Sequence, residues 1–76
     1  MSFLGTISDA DLWIGQLFSA QAVAKGGVIR RSIWDAERKV WRRRLELEVR
    51  RRGFHMLECG GQFIIVCSAE TIRIIC

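Results

Sequence analysis

Apolar side chains recur along this chain with two different periods, a helical one before Gly53 and an alternating one after it. Between Asp9 and Ala24, the residues Leu12, Trp13, Ile14, Leu17, Phe18, Ala20, Ala22, Val23 and Ala24 wrap most of a helical circumference. Ser8 supplies an N-cap hydroxyl, and Asp9 and Asp11 fall where a helix dipole favours negative charge. Gly26-Gly27 offers the left-handed residue that closes such a helix, so residues 8–25 are expected to form it. Residues 1–7, with Phe3, Leu4 and Ile7 around Gly5, read as an N-terminal arm.

Residues 28–52 carry the same helical period and are expected to form a second, basic helix. Ile29, Ile33, Ala36, Val40 and Leu47 fall on one line, and Trp34, Trp41, Leu45 and Val49 on another. The remaining sector holds Arg31, Asp35, Arg38, Lys39, Arg42, Arg43, Glu46 and Arg50. If the helix starts late, Ser32 and Asp35 have the spacing of a capping box. Gly53 stops it, after Arg50, Arg51 and Arg52 at the carbonyl-rich end.

Beyond Gly53 the period becomes two, and Phe54–Cys59, Gln62–Ser68 and Thr71–Cys76 read as the strands of a meander over residues 54–76. A two-residue turn at Gly60-Gly61 sets Met56 opposite Ile65, and a second short turn at Ala69-Glu70 would set Ile65 opposite Ile74. The fold class expected is α+β, one or two N-terminal helices packed on a three-stranded antiparallel β-meander in the order α-α-β-β-β. In that register the face turned away from the helices holds Leu57, Ile64, Val66 and Ile75. Such a face should be polar if it meets water. It is not, and these four residues are the expected protein interface, with a homodimer or a heterologous protein as partner.

A chain of 76 residues makes one domain and buries only roughly 60–65% of the surface exposed on unfolding, so an apolar excess again favours association. Charge sharpens the picture. Ten of the twelve Lys and Arg residues lie between Ile29 and Arg52, the source of the net charge of +4. Arg38/Arg42 and Lys39/Arg43 are like-charge pairs one helical turn apart, each mildly unfavourable without an anion nearby. Arg38, Lys39, Arg42 and Arg43 are therefore the candidate anion-binding or nucleic-acid-binding residues, against a solvated face laced by Asp35–Lys39, Glu46–Arg50 and Glu48–Arg52 pairs. Trp34 and Trp41 have the chemistry to stack on unpaired bases, but their helical spacing points to the core.

Catalytic and metal chemistry find little support. His55 is the only histidine, and an extended strand sets it roughly 13 Å from Cys59, too far for a shared metal. The three cysteines are expected as small buried, reduced thiols, and no cofactor, metal or small-molecule substrate is expected. No glycine-rich phosphate loop or catalytic triad pattern occurs. The start of the chain lacks the pattern of a signal peptide, no run is long enough to span a bilayer, and a cytoplasmic location is expected, with membrane binding disfavoured. Two functions stay open: a nucleic-acid-associated regulator working through the basic face, and a protein-targeted inhibitor or adaptor working through the apolar sheet face.

Overall fold

The structure, a computed structural model, describes residues 8–19, 23 and 26–76. The N-terminal arm, residues 1–7, lies outside the described residues. Among the described residues three helices and a three-stranded antiparallel sheet form an α+β fold in the order α1 (Asp9–Leu17), β1 (Val28–Ser32), α2 (Ile33–Lys39), α3 (Arg42–Arg51), β2 (His55–Cys59), β3 (Gln62–Val66). The sheet order is β1-β3-β2, with β3 in the centre. The expected order α-α-β-β-β is corrected by a strand inserted between the helices.

Local signals hold where the bond they need is close by. Ser8 caps α1, its Oγ accepting from Asp11 N–H at 3.1 Å. Ser32 caps α2 in the same way, accepting from Asp35 N–H at 3.3 Å. At the end of α3, Gly53 has φ 74°, Gly53 N–H donates to Arg50 O at 2.9 Å, and Phe54 N–H donates to Val49 O at 3.0 Å. That double bond pattern closes the helix on a left-handed residue and brings Phe54 back over Val49. Gly60 and Gly61, at φ 57° and 75°, make the primed turn of the β2–β3 hairpin, with Met56 opposite Ile65 as the alternation required.

Three expectations are corrected. The basic segment is not one helix over 28–52. Val28–Ser32 pairs with β3 instead, Ile29 opposite Ile65, and Cys67 N–H donates to Gly27 O at 2.9 Å where the two strands meet. The helix that follows breaks at Val40 and Trp41, both extended. The first helix also ends sooner than residue 25, at Leu17, and its cap Phe18 packs 6.2 Å from the Phe54 ring with the Arg52 guanidinium 4.1 Å over its face. Of the remainder of that predicted helix, residues 20–22, 24 and 25 lie outside the described residues. Finally, Thr71–Cys76 is not a strand, because β1 holds the edge of β3 that this segment would have used. The chain turns away after Ser68, whose Oγ accepts from Glu70 N–H at 3.1 Å. His55 Nε2 then lies 2.7 Å from Glu70 O, and since a carbonyl only accepts, the ring proton sits on that nitrogen.

One core collects buried side chains from every element except β2, whose half-buried Met56 packs against it. Ile14 and Leu17 of α1, Ile29 of β1, Ala36 and Val40 beside α2, Leu45 and Val49 of α3, and Phe63, Ile65 and Cys67 are all buried. The three helices therefore share one face of the sheet, and α1 does not cover the other. Cys67 is the small buried hydrophobe expected, but Cys59 and Cys76 are exposed.

The break makes a prediction about α3. Leu45 is 1% exposed and Leu47 is 50% exposed. Leu45→Ala is expected to cost about 2–5 kcal/mol in urea denaturation, and Leu47→Ala within about 0.5 kcal/mol. Equal losses would mean that α3 presents a different face to the core.

Candidate functional site

Consecutive residues of an extended segment point to opposite sides. Val40 is buried at the break, so Trp41 is turned outward and is 84% exposed. In α2, Ala36 and Val40 face the core, which places Trp34 and Arg38, four residues apart, on the solvent side. Trp34 is 69% exposed, with the Arg38 guanidinium 4.5 Å above its ring. Both tryptophans were expected in the core, and both are on the surface. The physical reason is the break: it buries Ala36 and Val40 from one apolar line together with Leu45 and Val49 from the other, leaving Leu47, Trp34 and Trp41 outside, while Ile29 is buried from β1 and Ile33 is half-buried.

The four candidate anion-binding residues surround that junction but differ in their partners. Arg42 is committed within the fold: it donates to Glu58 of β2, lies 3.6 Å from Glu46, and stands 5.1 Å from the Phe63 ring centre. Hydrogen bonding to Glu58 holds its proton still more firmly than usual. Arg38 is held by Trp34. Among the described residues, no ion pair engages Arg38, Lys39 or Arg43. Arg38, Lys39 and Arg42 also line a groove of about 430 Å³ with Ala10, Glu37, Val40 and Trp41. That volume falls within the ~300–1,000 Å³ of ligand-sized clefts. Arg43 is exposed beside it in the chain but is not part of this lining.

The acidic partners come from places that helical spacing does not reveal. Arg44 donates to Asp11, joining α3 to α1. Arg52 donates to Glu48 Oε1 at 2.6 Å and to its backbone carbonyl at 3.1 Å. Of the three interleaved pairs expected on the helix, Glu48–Arg52 forms, Glu46 turns to Arg42 in place of Arg50, and Asp35–Lys39 is not an ion pair of the described residues. Charge spacing along a helix could find Glu48–Arg52; it could not find Glu58 or Asp11.

The expected protein interface is brought together only in part. Leu57 and Ile64 lie side by side, and Val66 follows beside His55, all half-buried on the sheet face away from the helices. Arg30 of β1 completes the Leu57–Ile64 row where Ile75 was expected, and Val28, 56% exposed, adjoins Val66. Ile75 lies in the C-terminal segment outside the sheet and is exposed. Among the described residues no three His, Cys, Asp or Glu side chains gather as metal ligands would, and no helix is long and apolar enough to cross a membrane.

Acid should weaken two of these ties. The Arg44 hydrogen bond, then that of Ser8, holds the Asp11 carboxyl below its ordinary range, and the Arg52 hydrogen bond does the same for Glu48. A depressed carboxyl stabilises the fold above its unfolded pKa and loses that contribution as pH falls through the folded value. Melting temperature is expected to fall between about pH 5 and pH 2, and the Asp11→Asn/Glu48→Gln variant should follow a flatter course over that window. Parallel curves for variant and parent would show that these pairs do not couple to folding.

Comparison of the chain with protein-family models, with curated proteins and with solved structures returns no match.

Proposed function

We propose that this chain is a non-enzymatic binding module that holds nucleic acid through the phosphates, on the surface around Arg38, Lys39, Arg42 and Arg43, and so acts as a nucleic-acid-associated regulator. The observation that carries the reading is the uneven neutralisation of the basic segment. Arg42, Arg44, Arg51 and Arg52 have carboxylate partners, whereas among the described residues Arg30, Arg31, Arg38, Lys39, Arg43 and Arg50 have none, and three of these, Arg38, Lys39 and Arg43, lie together at the α2–α3 junction. The first turn of α3 contains no acidic residue and Trp41 gives it no side-chain cap, so its positive end adds to the same surface. A polyanion supplies the charge these groups lack, and its phosphates need no sequence-specific geometry from them.

A second reading is favoured by a different observation. Val28 is exposed and Leu57, Ile64 and Val66 are half-buried on a sheet face that the helices leave open. That face suits a protein-targeted inhibitor or adaptor in which apolar contact supplies affinity and the arginines set orientation.

Electrophoretic retention on random duplex and single strands at two salt concentrations separates the readings. About three phosphate contacts predict a slope of roughly −2 to −3 in log K against log salt. Reversing charge in Lys39→Glu/Arg43→Glu should weaken retention strongly while changing stability by no more than about 0.5 kcal/mol, because neither residue has a tertiary ion pair to lose. No retention at low salt would remove nucleic acid as the partner and leave the sheet-face reading.

A further inference from the structure

We infer that the nucleic acid is held as a single strand, with an unpaired base stacked on the Trp41 indole in the groove it shares with Arg38, Lys39 and Glu37; this rests on the nucleic-acid reading above. Two exposed tryptophans flank the groove's arginines, and they do different things. The Trp34 ring already carries Arg38 at 4.5 Å. Stacking fixes the plane of the guanidinium and leaves its in-plane N–H donors for a phosphate. Trp41 makes none of the aromatic or cation-π contacts of the described residues and is the most open of the exposed large side chains after Ile75. An indole in water forgoes a large burial gain, and a flat aromatic surface next to cations matches a nucleobase joined to its phosphate.

A duplex cannot use this platform. Its bases are stacked on one another, so no base face is open to the indole, and α2, α3 and the residues between them lack the Asn and Gln that read adenine edges. Those two helices are also short, of 7 and 10 residues, and separated by a break. Glu37, in the groove lining, repels phosphate and can accept a hydrogen bond from an exocyclic base amino group. The base therefore belongs beside Trp41 and Glu37, and the phosphates beside Arg38 and Lys39.

The test is a titration of the full chain with a single strand of about 15 nucleotides, matching the ~4–16 nucleotide sites of known single-strand binders, and with a duplex of the same length. Anisotropy of the labelled nucleic acid and tryptophan emission are read together. The single strand is expected to bind tighter than the duplex, by roughly 5-fold or more, and to quench emission. Trp41→Ala should lower single-strand affinity by roughly 5- to 150-fold, Trp41→Phe should keep most of it, and neither should change duplex affinity or melting temperature appreciably. Equal binding of both nucleic acids with unchanged emission, an unaffected Trp41→Ala variant, or a Trp41→Phe variant as weak as Trp41→Ala would overturn the stacking inference while leaving the phosphate reading in place. Failure of both nucleic acids to bind at low salt would overturn both.

Discussion

A single helix with apolar side chains on two of its sides can bury only one of them against a single core. Residues 33–49 carry such a pattern, and a chain this small has no second core to offer. The break at Val40 and Trp41 resolves the conflict. It interrupts the helical ladder between Val40 N–H, which donates to Ala36 O at 2.9 Å, and Leu45 N–H, which donates to Trp41 O at 3.1 Å, and turns α3 about the junction, so that Ala36, Val40, Leu45 and Val49 all reach the same interior. No glycine or proline forces the break. Burial does, since each large aliphatic side chain taken out of water contributes about 1.5–3 kcal/mol, against about 0.5–1.5 kcal/mol net for each backbone bond exchanged with solvent.

What the break turns outward is then electrostatically exposed. Arg42, Arg43 and Arg44 open α3, at the end where the helix dipole disfavours positive charge. The fold answers at two of the three: Glu46 and Glu58 stand by Arg42, and Asp11 stands by Arg44. These exposed pairs are individually weak. Their consequence lies in the pattern they leave, because each satisfied arginine marks more clearly the ones that are not. Arg43 sits between two paired neighbours without such a partner among the described residues, and Arg38 is stacked on an indole beside no acid that it pairs with.

Caps and turns were legible in the sequence because their partners are three or four residues away. Ser8, Ser32, Gly53 and Gly60-Gly61 all do what their spacing implied, and the hairpin carries the Met56–Ile65 register with it. β1 was not legible. Ile29 continues the helical line through Ile33, and Val28–Ser32 becomes a strand only by pairing with β3, more than thirty residues later in the chain. Thr71–Cys76 failed for the complementary reason: its own alternation suits a strand, but β3 has two edges and both are filled. At the candidate site the cluster of positive charge could be read directly. Which charges are neutralised could not, since Glu58 and Asp11 arrive by tertiary folding, and the exposure of Trp34 and Trp41 follows from a break that no local signal announces.

The layering has one more consequence. Among the described residues the helices pack on one face of the sheet, so the solvent side of the α2–α3 junction and the face with Val28, Leu57, Ile64 and Val66 look in opposite directions. A ligand on one does not occlude the other. The polar Arg30 at the β1 end of the Leu57–Ile64 row also narrows the apolar strip compared with a face closed by Ile75. An arginine there tolerates water on its own and can pair with an acid on an opposing surface. The open sheet face is therefore less demanding of permanent cover than its strand pattern implied, which weakens the argument for an obligate second copy and leaves the basic junction, where Arg38, Lys39 and Arg43 have no ion pair among the described residues, as a surface that still lacks its counter-charge.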